Sequence, residues 1–108
     1  FQPAVFEPGA LDLNGDARAY LDQLAEKLKE RPKLAVRVCG LYAAQERERD
    51  KDGKFTDQPE QLLALAQQRA DAVKAYMREQ GVNAKQLRRC RPALDPTEAG
   101  LPRVDIRF

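Results

Sequence analysis

The sequence predicts an α+β sandwich of order β-α-β-α-β-β, with two main helices on one face of a four-stranded mixed sheet. Two segments repeat apolar residues at helical spacing, shorter segments alternate apolar and polar residues, and a strand follows each main helix. That succession layers helices against a sheet rather than against each other. With 108 residues, 43% hydrophobic and 33% charged, the chain suits one soluble domain that builds its own core.

Phe1 to Phe6 has extended character, and Pro8-Gly9 punctuates it. A helix is expected from about Asp16 to Arg31, capped by Asn14 or Asp16, because Ala17, Leu21, Leu24, Ala25 and Leu28 share one stripe. Pro32 stops it, since proline disfavours helix at the residue before it. Leu34 to Cys39 alternates as a strand: Leu34, Val36 and Val38 face one way, Ala35, Arg37 and Cys39 the other, and Gly40 closes it. Gln45 to Gln58 alternates in charge sign and holds nothing to bury, so a mobile surface loop, partly helical, is expected there.

A longer helix is expected from Asp57 or Pro59 to Gln80. Pro59 suits its first turn, Glu60 the positive end of its dipole and Gly81 the C′ position. The turn Gly81-Val82-Asn83 leads to a short strand, Leu87 to Arg91, and then to a proline-bounded loop, Pro92 to Pro102. In the last strand, Arg103 to Phe108, Val104, Ile106 and Phe108 alternate with Arg103, Asp105 and Arg107.

Composition removes most chemistries. The chain has no His, Trp or Ser, which excludes a Ser/His/Asp triad, a Cys–His pair and any His-containing zinc site. Cys39 and Cys90 are too few for a Cys-only zinc site, and no Gly-rich phosphate loop is present. The expectation is a non-enzyme with no catalytic residue, metal or cofactor. A net charge of +2 spread over alternating signs, with 6% aromatic residues, argues against nucleic acid. No segment approaches the ~20 consecutive apolar residues of a membrane span. The chain opens at Phe1 without Met or signal peptide, which reads as a piece of a longer protein.

One residue breaks the pattern. At about 100° per residue, Leu62, Leu65, Ala66, Val73 and Tyr76 form an apolar stripe, and Arg69 falls in its middle. Three fates are open to a core-facing arginine. Its stem can pack while the guanidinium emerges at the rim, the favoured reading. It can grip an anion such as a carboxylate in a cleft, or it can be consumed in an internal ion pair.

These residues, in order, resemble the OmpA-like C-terminal domain. The resemblance rests on Gly40 ending a hydrophobic strand, the helix run Leu65-Ala-Gln-Gln-Arg-Ala-Asp-Ala-Val73, Tyr76 to Val82, Gln86-Leu87, and Arg103-Val-Asp-Ile106. It covers essentially residues 1–108 as one domain. Phe6 to Leu13 and the exit Lys29-Glu-Arg-Pro32 look closer to a divergent branch at the C-terminus of large AsmA-like bacterial envelope proteins. The resemblance implies a periplasmic, cell-envelope setting and non-covalent peptidoglycan binding. In it an aspartate after the strand's glycine and a helix arginine grip diaminopimelate of the stem peptide.

The arginine carries over to Arg69. The aspartate does not: the usual Gly-His-Thr-Asp run reads Gly40-Leu41-Tyr42-Ala43, and the usual Asn-Arg-Arg-Val reads Leu101-Pro-Arg-Val104. The candidate ligand site is therefore Arg69 with Gly40, Tyr42 and Ala43, and Glu46, Glu48 or Asp50 could replace the lost acid. Because Ala43 removes a gripping group, the leading expectation is a module degenerate in ligand binding that serves structural or protein-interaction roles, other domains of the parent protein included. The alternative is cell-wall anchoring through Arg69.

Two further groups follow from the implied sheet. Cys39 and Cys90 would lie on neighbouring strands, spaced near the lower end of disulfide Cα separations. The periplasmic setting permits a bridge, and a pair of half-buried free thiols is the favoured state because paired strand side chains aim their sulfurs poorly. Arg37, Arg89 or Arg91, Arg103 and Arg107 could share the sheet face opposite the helices, as a solvated face partly neutralised by Asp105 or as a docking surface for an anionic envelope component or the rest of the parent.

Overall fold

The computed structural model describes residues 4–47, 50–54, 59–95 and 102–107. Two helices, α1 (Gly15–Glu30) and α2 (Pro59–Glu79), pack on one mixed sheet of β1 (Ala4–Val5), β2 (Val36–Tyr42), β3 (Leu87–Arg88), β4 (Ala93–Leu94) and β5 (Arg103–Arg107). The order is β1-β5-β2-β3, and β4 pairs with β2 further along the same edge as β3. β5 runs antiparallel to both β1 and β2, while β3 and β4 are parallel to β2. The sheet has five strands rather than the expected four. The expected strand Leu87 to Arg91 is two residues long, and the chain arches off β2 before rejoining it as β4 inside the expected proline-bounded loop.

Local chemistry explains the helix ends. Asn14 Oδ1 accepts from the Ala17 N–H at 2.8 Å and caps α1. α2 closes in a Schellman motif: the Val82 N–H donates to Met77 O at 3.1 Å and the Gly81 N–H to Arg78 O at 3.0 Å, with Gly81 at φ +101°. The core lies between helices and sheet and joins Leu21, Leu24 and Leu28 of α1, Val73 and Met77 of α2, and Val36, Val38, Val104 and Ile106 of the strands. Gln86 closes its lower end. Its side-chain amide donates to Leu28 O, Arg31 O and Leu34 O at 2.7, 2.9 and 3.0 Å, which satisfies carbonyls where α1 stops and β2 approaches.

Gly40 does not close β2, which runs on to Tyr42. A Cβ there would stand 1.9 Å from Ala66 O of α2. The glycine thus lets the helix backbone settle onto the strand; it is needed for close approach, not for a turn.

Cys39 and Cys90 are bonded, with Cα atoms 4.9 Å apart and a sequence separation of 51, so the favoured pair of free thiols is corrected. Cys90 lies past the end of β3, in the arch over residues 89–92 that joins it to β4. Closing so long a loop is worth about 4 kcal/mol on chain-entropy grounds.

Candidate functional site

Arg69 sits on the inner stripe of α2, between Ala66 and Ala70, and all three are wholly buried. Because Gly40 draws α2 onto β2, the guanidinium lies inside the fold beside the end of β2 and the loop after β1. The favoured reading, a guanidinium emerging at the rim, is overturned: its side-chain exposure is 0%. Its Nε donates to Ala10 O at 2.9 Å, and its carbon lies 5.5 Å from the centroid of the Phe6 ring.

The remaining guanidinium edge meets Glu46. Arg69 Nη1 donates to Glu46 Oε1 at 2.9 Å and Nη2 donates to Oε2, a fork-to-fork pair. The Glu46 side chain is 2% exposed. Two backbone groups complete its shell: the Ala43 N–H donates to Oε1 and the Gly9 N–H to Oε2, each at 2.9 Å. Four donors from three separate parts of the chain therefore converge on one carboxylate. Burial pushes that carboxyl up; the Arg69 guanidinium and the two N–H groups outweigh it and hold the group below its ordinary value of 4.5.

A short 3₁₀ turn, Ala44–Glu46, delivers the acid, with Glu46 N bonded to Ala43 O at 3.0 Å. At the opposite wall, Gly9 adopts φ +76°, which turns its N–H inward after Pro8. The expectation that Gln45 to Gln58 holds nothing to bury fails at Glu46. Charge alternation marks a solvated loop on average, and it is blind to the one acid whose partner lies in the core. Of the other replacement acids, Asp50 is exposed and accepts from the Asp52 and Lys54 N–H groups, capping its own turn. Glu48 lies outside the described residues, as does the expected mobility of residues 48–49 and 55–58.

The four candidate residues thus divide. Arg69 and Ala43 meet around Glu46, Ala43 through its backbone. Gly40 is a packing contact, and Tyr42 is buried against Leu62 and Ala66 in a small second cluster. Gly9 and Ala10 were missed, because backbone donors and acceptors leave no trace in residue type. On the outer sheet face, Arg37 lies in register with Arg107 of β5 and with Arg88 of β3, so Arg88 takes the place expected of Arg89 or Arg91. Arg103 bridges Asp105 at 2.8 Å and also bonds the buried Asp95. No helix among the described residues is long and apolar enough to cross a membrane.

A family model described as the OmpA family matches residues 5–90. The chain belongs to that family. Solved structures agree on the fold of this OmpA-like domain. The C-terminal domain of Helicobacter pylori MotB is 21% identical at a TM-score of 0.72, over 98% of this chain and 82% of that one. The OmpA-like domain of FopA1 from Francisella tularensis is 17% identical at 0.77, over 98% and 69%. The peptidoglycan-associated lipoprotein from Burkholderia pseudomallei is 23% identical at 0.72, over 99% and 89%. No curated protein matches the chain.

Proposed function

We propose that this OmpA-like domain is a non-enzymatic module of a bacterial envelope protein, working in the periplasm, whose arginine site is filled from within. It serves structural and interaction roles in its parent, for which the AsmA-like branch is the expected context. One observation carries the reading: the Arg69 fork, the grip that the OmpA resemblance implies, is closed by Glu46 of the same chain. Ala43 offers a backbone N–H in place of the usual aspartate, and the acid that stands beside Arg69, Glu46, is already engaged by the guanidinium. Breaking one side of a buried ion pair costs about 3–5 kcal/mol, and a stem-peptide carboxylate would have to meet that cost to displace Glu46.

The alternative, cell-wall anchoring, draws on the same donors. A guanidinium fork and two N–H groups are what a ligand carboxylate would take, and the name of the Burkholderia relative associates that protein with peptidoglycan. It requires Glu46 to leave.

Sedimentation with diaminopimelate-type sacculi tests the choice. The wild-type domain is expected to stay in the supernatant, as is the Ala43→Asp variant with Glu46 in place. Wild-type protein that pellets with sacculi, and is released by excess free diaminopimelate, overturns the sealed-site reading in favour of the anchor.

A further inference from the structure

Charge is unevenly spread along the chain. Residues 72–94 hold six Lys and Arg to a single acid, Glu79, a surplus of five in a chain whose net charge is +2. The remainder is therefore acidic on balance. Part of that basic segment returns along one flank of α2, through the 3₁₀ turn Ala84–Gln86, β3 and the 89–92 arch, and two clefts open there. The first, of about 310 Å³, lies between Lys74, Ala75 and Arg78 of α2 and Ala84 and Leu87 opposite. The second, of about 240 Å³, lies between Gln67 of α2 and Arg89, Arg91 and Pro92 of the arch.

The two clefts adjoin. The Gln67 side-chain amide donates to Asp71 Oδ1 at 2.9 Å, and Asp71 lines the first cleft as Gln67 lines the second. The arch wall is fixed from behind, because the disulfide ties Cys90 to Cys39 of β2. Among the described residues that line the clefts, Lys74, Arg78, Arg89 and Arg91 are cations and Asp71 is the one acid. Asp71 is already engaged, by Gln67 and by Lys74 at 3.7 Å. Arg78, Arg89 and Arg91 are exposed, and their side chains make no hydrogen bond or ion pair among the described residues. The small side chains of Ala75 and Ala84 leave room on the floor, beside the buried Leu87.

We propose that this flank of α2 docks an extended acidic peptide segment of a partner protein. Carboxylates of the segment meet Arg78 at one end and Arg89 and Arg91 at the other, and its small apolar side chains lie on Ala75, Ala84 and Leu87. Guanidinium forks take carboxylates in bidentate pairs. Gln67 and Arg78 are eleven residues apart on α2, so the flank is about 16 Å long, which an extended chain covers in about five residues. The cations stand on opposing walls, helix and arch, with a floor between them. That suits a chain lying lengthwise, whereas a headgroup layer presents its charges in one plane. No aromatic side chain lines the clefts among the described residues, so nothing stacks a nucleic-acid base. The inference rests on the reading of the domain as an interaction module and supplies the chemistry of its partner.

NMR titration of the isotope-labelled domain with the peptide Glu-Glu-Val-Ala-Glu-Glu, beside its neutral counterpart Gln-Gln-Val-Ala-Gln-Gln, tests it. Only the acidic peptide is expected to bind, with amide shifts gathered at residues 74–78, 84–87 and 89–91 and fading from roughly 50 to 300 mM salt. Each exposed ion pair is worth up to about fivefold, so Arg78→Gln/Arg89→Gln/Arg91→Gln should weaken binding about tenfold or more. Ala75→Phe fills the floor without changing charge and should also weaken binding, which charge attraction alone would not produce. A charge-matched control, Lys27→Gln/Lys33→Gln/Lys51→Gln, removes exposed lysines elsewhere and should bind like wild type. Equal binding of the neutral peptide, no loss in the arginine variant or in Ala75→Phe, or an equal loss in the lysine control overturns the proposal. So does stronger capture by phosphatidylglycerol vesicles, which would assign the flank to a membrane. Sacculus binding is read separately: a positive result there removes the sealed-site reading, whereas a silent peptide titration removes only this proposal.

Discussion

Arg69 and Arg88 occupy regular elements of one small sheet-and-helix sandwich, and their surroundings could hardly differ more. Arg69 is wholly buried, with its fork on Glu46 and its Nε on Ala10 O. Arg88 is exposed at the sheet edge with Arg37 as its cross-strand neighbour. The inner arginine is met by an acid of its own chain in the core; the outer ones lie at the surface, like charge beside like charge.

The largest effects come from breaking the inner pair on one side. Arg69→Met leaves the Glu46 carboxylate buried with two backbone donors, and Glu46→Leu leaves the guanidinium buried with Ala10 O. Each is expected to cost about 3–5 kcal/mol in urea denaturation, a large share of the 5–15 kcal/mol typical of a domain. The double variant Glu46→Leu/Arg69→Met should recover most of that loss, because an apolar pair of similar volume leaves no uncompensated charge. A double variant as unstable as the worse single one would show that the pair is not what closes the site.

Next in size is Gly40→Ala. The added Cβ meets a helix carbonyl at 1.9 Å, and backbone cannot yield as a flexible side chain would. About 3 kcal/mol of destabilisation is expected, at the top of the overpacking range. Because α2 carries Arg69, the variant should also loosen the pair, visible as faster exchange of the Ala43 and Gly9 amides by NMR. Unchanged stability would mean that helix and strand are less closely seated than the structure has them.

Glu46→Gln sharpens the comparison through pH. The folded carboxyl titrates below its ordinary 4.5, so the unfolded chain takes up the proton first as pH falls. The pair's contribution is complete above about 4.5 and is lost as pH drops through the folded value. Glu46→Gln keeps the shape without the charge and should be about 1–3 kcal/mol less stable than wild type at pH 7. The gap should narrow steadily below pH 4.5. A gap independent of pH would mean that Glu46 contributes through shape and neutral hydrogen bonds alone.

How much of this was legible in the sequence differs between the two faces. The stripes of α1 and α2, the Asn14 cap, the Gly81 stop and the alternation of β5 follow from local periodicity, and the structure places each within a residue or two. Arg69 stood out for the same reason, as a charge inside an apolar stripe. Its partner did not stand out, because Glu46 resembles every other acid in a charged loop and its choice is made by a core 23 residues away. Gly40 was read as a stop since the sequence shows the missing Cβ and not the helix lying over it. β4 escaped notice because a two-residue bridge has no period to detect. The disulfide turned on where Cys90 leaves its strand, a boundary that composition does not mark.

The smallest effect belongs to the outer face and runs the other way. Arg88 stands beside Arg37 in register, and both are exposed. Opposed like charges of this kind cost a few tenths of a kcal/mol, so Arg88→Gln should raise stability by up to about 0.5 kcal/mol. In a domain of this size that is about 2–3 °C in the thermal midpoint. The gain should vanish in 1 M salt, where screening acts within about 3 Å. The same substitution at the inner position would be ruinous, and this opposition in sign is the most economical test of the comparison. If Arg88→Gln instead lowers the midpoint at low salt, Arg88 holds an anion of the chain itself, as Arg69 does. The outer row would then be neutralised within the chain, as the inner arginine is.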